Sequence, residues 1–239
     1  MMDKLVVNDL TINNLRPIKK QFKNKNNKFS AKGYIGAKKV KIYEVYDKNQ
    51  GHLMKFISKN KELSQYFPKL ITYDKKFIVE EWVNGKTLKE LNYSYKKKNP
   101  QSDEVKHIIN LMWSLKYDNT VFDYLKYIHT RIDKTYNLNL NYLPIRINHN
   151  DLSLDNIIVS SHGLKIIDNE YLGCNTGWIL NIKNSFLKED FIYQNYIPTK
   201  TLNVLWNTRR EWSKIKLKNS KSKKRIFKNL IKNLIKKII

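Results

Sequence analysis

The chain has 239 residues, of which 41% are hydrophobic, with 46 Lys or Arg against 21 Asp or Glu and a formal net charge of +25. That is enough apolar material for a sizeable core in one compact unit or two small lobes. The lone cysteine, Cys174, excludes an internal disulfide framework and fits a reducing compartment. The first residues, Met1 to Asp9, contain no long apolar stretch, so no secretory signal is expected, and no run approaches the ~20 apolar residues that span a bilayer. The charge implies attraction to polyanions: nucleic acid, anionic lipid or a phosphorylated glycan.

Residues 1–28 are polar with scattered apolar positions and read as a loose lead-in or a first strand. Ser30 to Gly36 brings Gly33 and Gly36 to a bend, and Val40 to Tyr46 alternates as a strand. Lys48-Asn49-Gln50-Gly51 is a turn signal, after which Leu53 to Ile57 reads as the next strand. Lys59 to Tyr66 suits a short helix stopped before Pro68, and Leu70–Tyr73 with Phe77–Trp82 forms a hairpin around Asp74-Lys75-Lys76. Asn84-Gly85 then breaks the β pattern, and Thr87 is placed to cap a short helix from Leu88. Residues 103–118 and 121–136 carry helical spacing, and Ser102 with Asp103 and Glu104 suits a helix start. The texture is mostly β before Trp82–Gly85 and mostly helical after it.

Residues 147–171 carry the chemistry. His149-Asn150-Asp151 begins a loop, and Asn156 follows Asp151 by five residues. Ile157–Val159 and Leu164–Ile167 are apolar strands joined at Ser160–Gly163, and Asp168 closes the second. Phosphoryl transfer from a magnesium nucleotide needs one carboxylate to orient the attacking hydroxyl. It also needs oxygen ligands to hold the metal over the phosphates. No second His or Cys stands at zinc-ligand spacing from His149.

These residues resemble the His-x-Asp-x-x-x-x-Asn catalytic loop and closing metal-binding Asp of the protein-kinase-like superfamily. The match is closest to its small-molecule branch: the aminoglycoside and choline phosphotransferases and the lipopolysaccharide core sugar kinases. It covers roughly residues 30–187. The resemblance implies an α+β, bilobed fold: a β-rich nucleotide-binding lobe over 1–82, a helical lobe with the catalytic loop over 83–213, and a basic tail over 214–239. It makes Asp151 the catalytic carboxylate and Asn156 and Asp168 the magnesium ligands, with Glu170 a further carboxylate. His149 braces the loop. Gly33 and Gly36 would lie near phosphates, and the backbone at Glu81 and Val83 would bond adenine. ATP and Mg2+ are the implied cofactors.

A lysine for the α and β phosphates is also expected, and two compete. Lys41 shares a strand face with Lys39, which reads as solvated, whereas Lys55 shares a face with Leu53 and Ile57. The alternation favours Lys55, with Glu62 as its partner and Lys41 as the rival. No protein-kinase activation segment or Ala-Pro-Glu is present, which argues against a protein substrate.

Between Lys214 and Ile239 stand eleven Lys or Arg and no acid, with apolar pairs at 226/227, 230/231, 234/235 and 238/239. This is a basic amphipathic helix, suited to an anionic membrane surface or to docking on the protein itself. No zinc finger, recognition helix or RNA-binding signature supports nucleic acid as partner. The expected activity is transfer of a phosphoryl group from ATP to a hydroxyl of a small molecule, sugar or glycolipid. The expected location is cytoplasmic, peripheral at the inner face of a membrane. The competing reading is an inactive kinase-like shell that binds an anionic partner through its charge.

Overall fold

The computed structural model describes residues 3–18, 28–93, 100–127 and 143–178. The chain divides into two compact units, one of Met1–Tyr124 with Leu140–Asp190 and one of Leu125–Asn139 with Phe191–Ile239. The second is described only at residues 125–127, which are helical.

The first unit opens with a six-stranded antiparallel sheet in the order β1-β2-β3-β4-β6-β5. Its strands are β1 (Lys4–Val7), β2 (Leu10–Pro17), β3 (Ser30–Ile35), β4 (Lys38–Glu44), β5 (Leu70–Tyr73) and β6 (Phe77–Glu81). The polar start of the chain therefore makes a regular hairpin, with Asn8 at φ +49° in its turn. Asn tolerates that left-handed backbone. The Asn8 amide also donates to Thr72 Oγ1 at 3.0 Å and to the Tyr73 carbonyl at 2.8 Å, tying the hairpin to β5.

Strand alternation sends Val40 and Ile42 to one face of the sheet and Lys39, Lys41 and Tyr43 to the other. The first face meets Val7, Ile12, Leu15, Ala31 and Val79 in a closed apolar cluster. The second is not a solvent face: Lys41 is 7% exposed and Tyr43 fully buried.

Residues 50–59 correct the expectation of a strand. They form helix α1 (Gln50–Lys59), whose buried positions are Gln50, Gly51, Leu53, Met54 and Ile57. Over a window as short as 53–57 both periods fit. Adding Gln50 and Gly51 reveals the 3.6-residue stripe. Asn60 then caps the short α2 (Lys61–Ser64), accepting from the Leu63 amide at 2.8 Å. Thr87 does not start a helix. It ends β7 (Lys86–Thr87), and its side chain and backbone exchange hydrogen bonds with Glu90 around a turn.

Helix α3 (Pro100–Ser114) buries Val105, Ile108, Ile109, Met112 and Trp113. Of the expected 121–136 helix, Val121 instead bridges Cys174 as β structure, and helix begins at Tyr124; residues 128–136 lie outside the described residues, as does the basic tail.

The hairpin read after Asn156 is present. Strand β8 (Arg146–His149) pairs with β11 (Leu172–Asn175), while β9 (Ile157–Ser160) and β10 (Gly163–Ile166) form the hairpin between them. Strand β7 joins β9 in a small three-stranded sheet.

Candidate active site

His149 ends β8 with its imidazole fully buried, and its Nε2 stands 3.0 Å from the Ile167 carbonyl oxygen. A carbonyl only accepts, so Nε2 carries the proton. Burial holds the ring below its ordinary pKa, which keeps it a neutral brace between the loop and the residue before Asp168.

Asp151 follows, half-buried, and its backbone carbonyl accepts from the Asn156 amide at 2.7 Å. Asn156 closes a 3-10 turn (Leu154–Asn156) and is 6% exposed. Its nitrogen is committed, so its Oδ1 is the atom left to meet a cation. The Asn156 carbonyl accepts from the Ile167 amide at 2.9 Å, fastening the loop to the strand that delivers Asp168. Asp155 points elsewhere and pairs with exposed Lys89 at 2.8 Å.

Asp168 sits in the left-handed region at φ +62°, ψ +46°. For a residue other than glycine this is a costly backbone, of the kind found where structure serves a site. Asn150 donates to the Tyr171 carbonyl at 2.7 Å, and Gln50 of α1 donates to the carbonyls of Glu170 at 2.9 Å and Leu172 at 2.8 Å. Loop, helix and sheet thus converge on residues 168–172.

Lys41, not Lys55, reaches this point. Its Nζ lies 2.7 Å from Asp168 Oδ1 and 3.6 Å from Glu170 Oε1. Burial alone lowers its pKa, but Glu170, Glu80 and Asp168 outweigh that and hold the ammonium above its ordinary value. Lys55 stands on the exposed side of α1, and Glu62 is exposed on α2. Lys55 shares an apolar face only if the segment is a strand. Sharing a strand face with Lys39 makes Lys41 read as solvated, whereas here its ammonium meets Asp168 and Glu170.

Glu80 is the site residue that sequence reasoning missed. It is cross-strand partner of Lys41 between β4 and β6 and is 1% exposed. Its Oε2 accepts from Asn169 Nδ2 at 3.2 Å and from the Tyr43 hydroxyl at 3.4 Å. Burial raises its pKa to about 7, against the pull of Lys41 and Asn169. The available signal is period two: Val79 falls on the Ile42 face, whereas Glu80 shares the face of Ile78 and opposes Lys41 once the hairpins are in register.

The glycines do not form a shared bend. Gly36 makes the β3–β4 turn at φ +57°. Gly33 lies inside β3, where a Cβ would come within 2.7 Å of Ile12 Cγ2, so it serves close packing against β2. At the end of β6, the Glu81 carboxylate pairs with Lys38 at 3.7 Å, and the Trp82 amide donates to the Lys39 carbonyl at 3.2 Å. Glu81 and Val83 border a cavity of about 620 Å³ together with Met54, Phe67, Ser160 and Lys165. Neither Lys41, Asp151, Asn156 nor Asp168 is among the residues that line that cavity.

No family model matches the chain, and no curated protein matches it in sequence. Solved structures do match in fold. ADP-bound aminoglycoside phosphotransferase APH(2'')-Ib superposes with TM-score 0.51 at 14% identity, covering 84% of each chain. The streptomycin–ATP ternary complex of APH(2'')-IIa gives TM-score 0.51 at 15% identity, again over 84% of each chain. The chain shares the fold of these aminoglycoside phosphotransferases. A choline/ethanolamine kinase family protein from Mesorhizobium loti also matches, with TM-score 0.48 and 13% identity over 86% of this chain and 80% of that one.

Proposed function

We propose that this chain is an ATP-dependent phosphotransferase that moves the γ-phosphoryl group to a hydroxyl of a small molecule, sugar or glycolipid. The observation that carries the reading is the 2.7 Å pair between Lys41 and Asp168, formed between residues 127 positions apart. Asn156 is fastened to Asp151 and to Ile167, the residue before Asp168, by amide and backbone hydrogen bonds.

Asp151 orients the acceptor hydroxyl and takes its proton as the new P–O bond forms. Lys41 donates to the phosphates. The donor set suits magnesium: a carboxylate from Asp168 and the amide oxygen of Asn156 are hard oxygen ligands, and magnesium takes few protein ligands beside phosphates and water. When bound, the metal neutralises charge on the transferred group. Binding of ADP and ATP by the superposed phosphotransferases named above supports the nucleotide assignment by fold.

The basic tail, residues 214–239, supports a peripheral place on an anionic membrane and a cell-envelope glycolipid as acceptor. Each basic residue near such a surface contributes on the order of 1 kcal/mol. Among the described residues no helix is long and apolar enough to cross a membrane. An inactive kinase-like shell is the second reading, and one observation favours it: Gly33 and Gly36 are spent on packing and a turn.

Thermal shift with ATP and magnesium separates the two. A ligand at 100 times its Kd stabilises by about 2.7 kcal/mol. A shift that needs both ATP and magnesium supports the enzyme, and none at millimolar nucleotide leaves the shell.

A further inference from the structure

We propose, on the phosphotransferase reading above, that Glu80 is the positioning residue for Lys41, taking its ammonium when a divalent cation occupies Asp168. Lys41 and Glu80 are directly opposed across β4 and β6, so their side chains leave the same face of the sheet within reach of each other. In the described arrangement Lys41 lies on Asp168. A divalent cation on that carboxylate competes with the ammonium for it, and two cations on one half-buried carboxylate repel. Lys41 is itself 7% exposed and needs a second anion rather than water.

Three features make Glu80 that anion. It is 1% exposed, and its Oε1 has no hydrogen-bond partner among the described residues, a costly state for a buried acceptor. Its other oxygen is fixed by Tyr43 and by Asn169, the residue next to Asp168, so the carboxylate is held in place. Finally, the expected helical acid is not there: α1 contains no acid, and Glu62 on α2 is exposed. Glu170 is the competing acceptor, 3.6 Å from Lys41.

The test is calorimetric titration of the full chain with ADP, with and without magnesium, for the wild type, Glu80→Gln, Glu80→Asp, Glu170→Gln and Asp168→Asn. Magnesium tightens ADP binding to the wild type, and Asp168→Asn abolishes that gain. Glu80→Gln cuts the gain about tenfold or more, of the order expected when a charged partner is lost, and weakens magnesium-bound ADP more than metal-free ADP. Glu80→Asp restores part of it. Equal weakening of metal-free and magnesium-bound ADP would mark Glu80 as merely structural and overturn the proposal. A full magnesium gain in Glu80→Gln, or its loss in Glu170→Gln alone, overturns it too. If the wild type binds no ADP under either condition, it is the phosphotransferase reading that fails.

Discussion

Lys41 and Asp168, separated by 127 positions in the chain, meet at 2.7 Å. The contact joins the N-terminal sheet to a residue just past the β9–β10 hairpin. Because it is partly desolvated, it is more than a surface ion pair: Lys41 is 8% exposed at the side chain and Asp168 20%. Replacing Lys41 with Met is expected to cost at least about 10²-fold in kcat/KM, the range for a lost electrostatic stabiliser. The matching change at exposed Lys55 leaves kcat/KM within about twofold. Steady-state kinetics of the two variants checks the assignment, and a defect confined to Lys55→Met would reverse it.

Asp151→Asn keeps the side chain's size and removes its basicity. Phosphoryl transfer, or slow ATP hydrolysis when no acceptor is supplied, should fall by about 10² to 10⁴, with ADP affinity nearly unchanged. A parallel loss of ADP binding would mean Asp151 holds the nucleotide rather than the attacking group.

The proposed catalytic segment is legible in the sequence because its pattern is local. Asp151, Asn156 and Asp168 fall within 18 residues, and the hairpin that sets their spacing is encoded by two apolar strands and a polar turn. The lysine was not legible because its environment is non-local. Whether Lys41 faces water depends on what covers the second face of the sheet, and residues 168–170 come from the other end of the folded unit. Glu80 was hidden for the same reason: its importance lies in the β4–β6 register, which alternation alone does not give. Leu53 to Ile57 failed differently, since a five-residue apolar window fits both periods. At Gly33 the structure shows a packing reason for glycine that the sequence pattern does not reveal, the Ile12 and Leu15 side chains against it.

That last point is testable. Gly33→Ala forces a Cβ within 2.7 Å of Ile12 Cγ2 and 3.1 Å of Leu15 Cδ2. Overpacking of this kind costs about 1–3 kcal/mol, read as a lower urea midpoint at unchanged slope. Nucleotide affinity at a temperature where the variant is folded should match the wild type. A variant of full stability that no longer binds nucleotide would return Gly33 to the phosphate site.

Glu80 also gives a pH signature. Its pKa rises from the ordinary 4.5 to about 7 on folding, chiefly through burial. A raised carboxyl means the folded state binds the extra proton, so the contribution to stability is full below about pH 4.5 and is lost as pH climbs through about 7. Between pH 5 and 8 this group alone lowers wild-type stability by on the order of 1–3 kcal/mol. Glu80→Gln removes that slope. Urea unfolding of both proteins at pH 5 and pH 8 checks it. An equal decline in both would place the titration elsewhere.

For the tail, deletion of residues 221–239, which removes eight basic residues, should release the protein from anionic vesicles at about 0.1 M salt, where screening already weakens distant charges. Vesicle sedimentation reads the outcome, and undiminished binding would locate the membrane contact on the folded body.

Calorimetric titration of the full chain with ATP in the presence of magnesium addresses the central assignment most directly. Saturable binding at one site is expected, with the magnesium dependence abolished in Asp168→Asn and affinity sharply reduced in Lys41→Met. Absence of binding at millimolar ATP, or magnesium-dependent binding that both variants retain, would contradict a phosphoryl-transfer site built on Lys41, Asp151, Asn156 and Asp168.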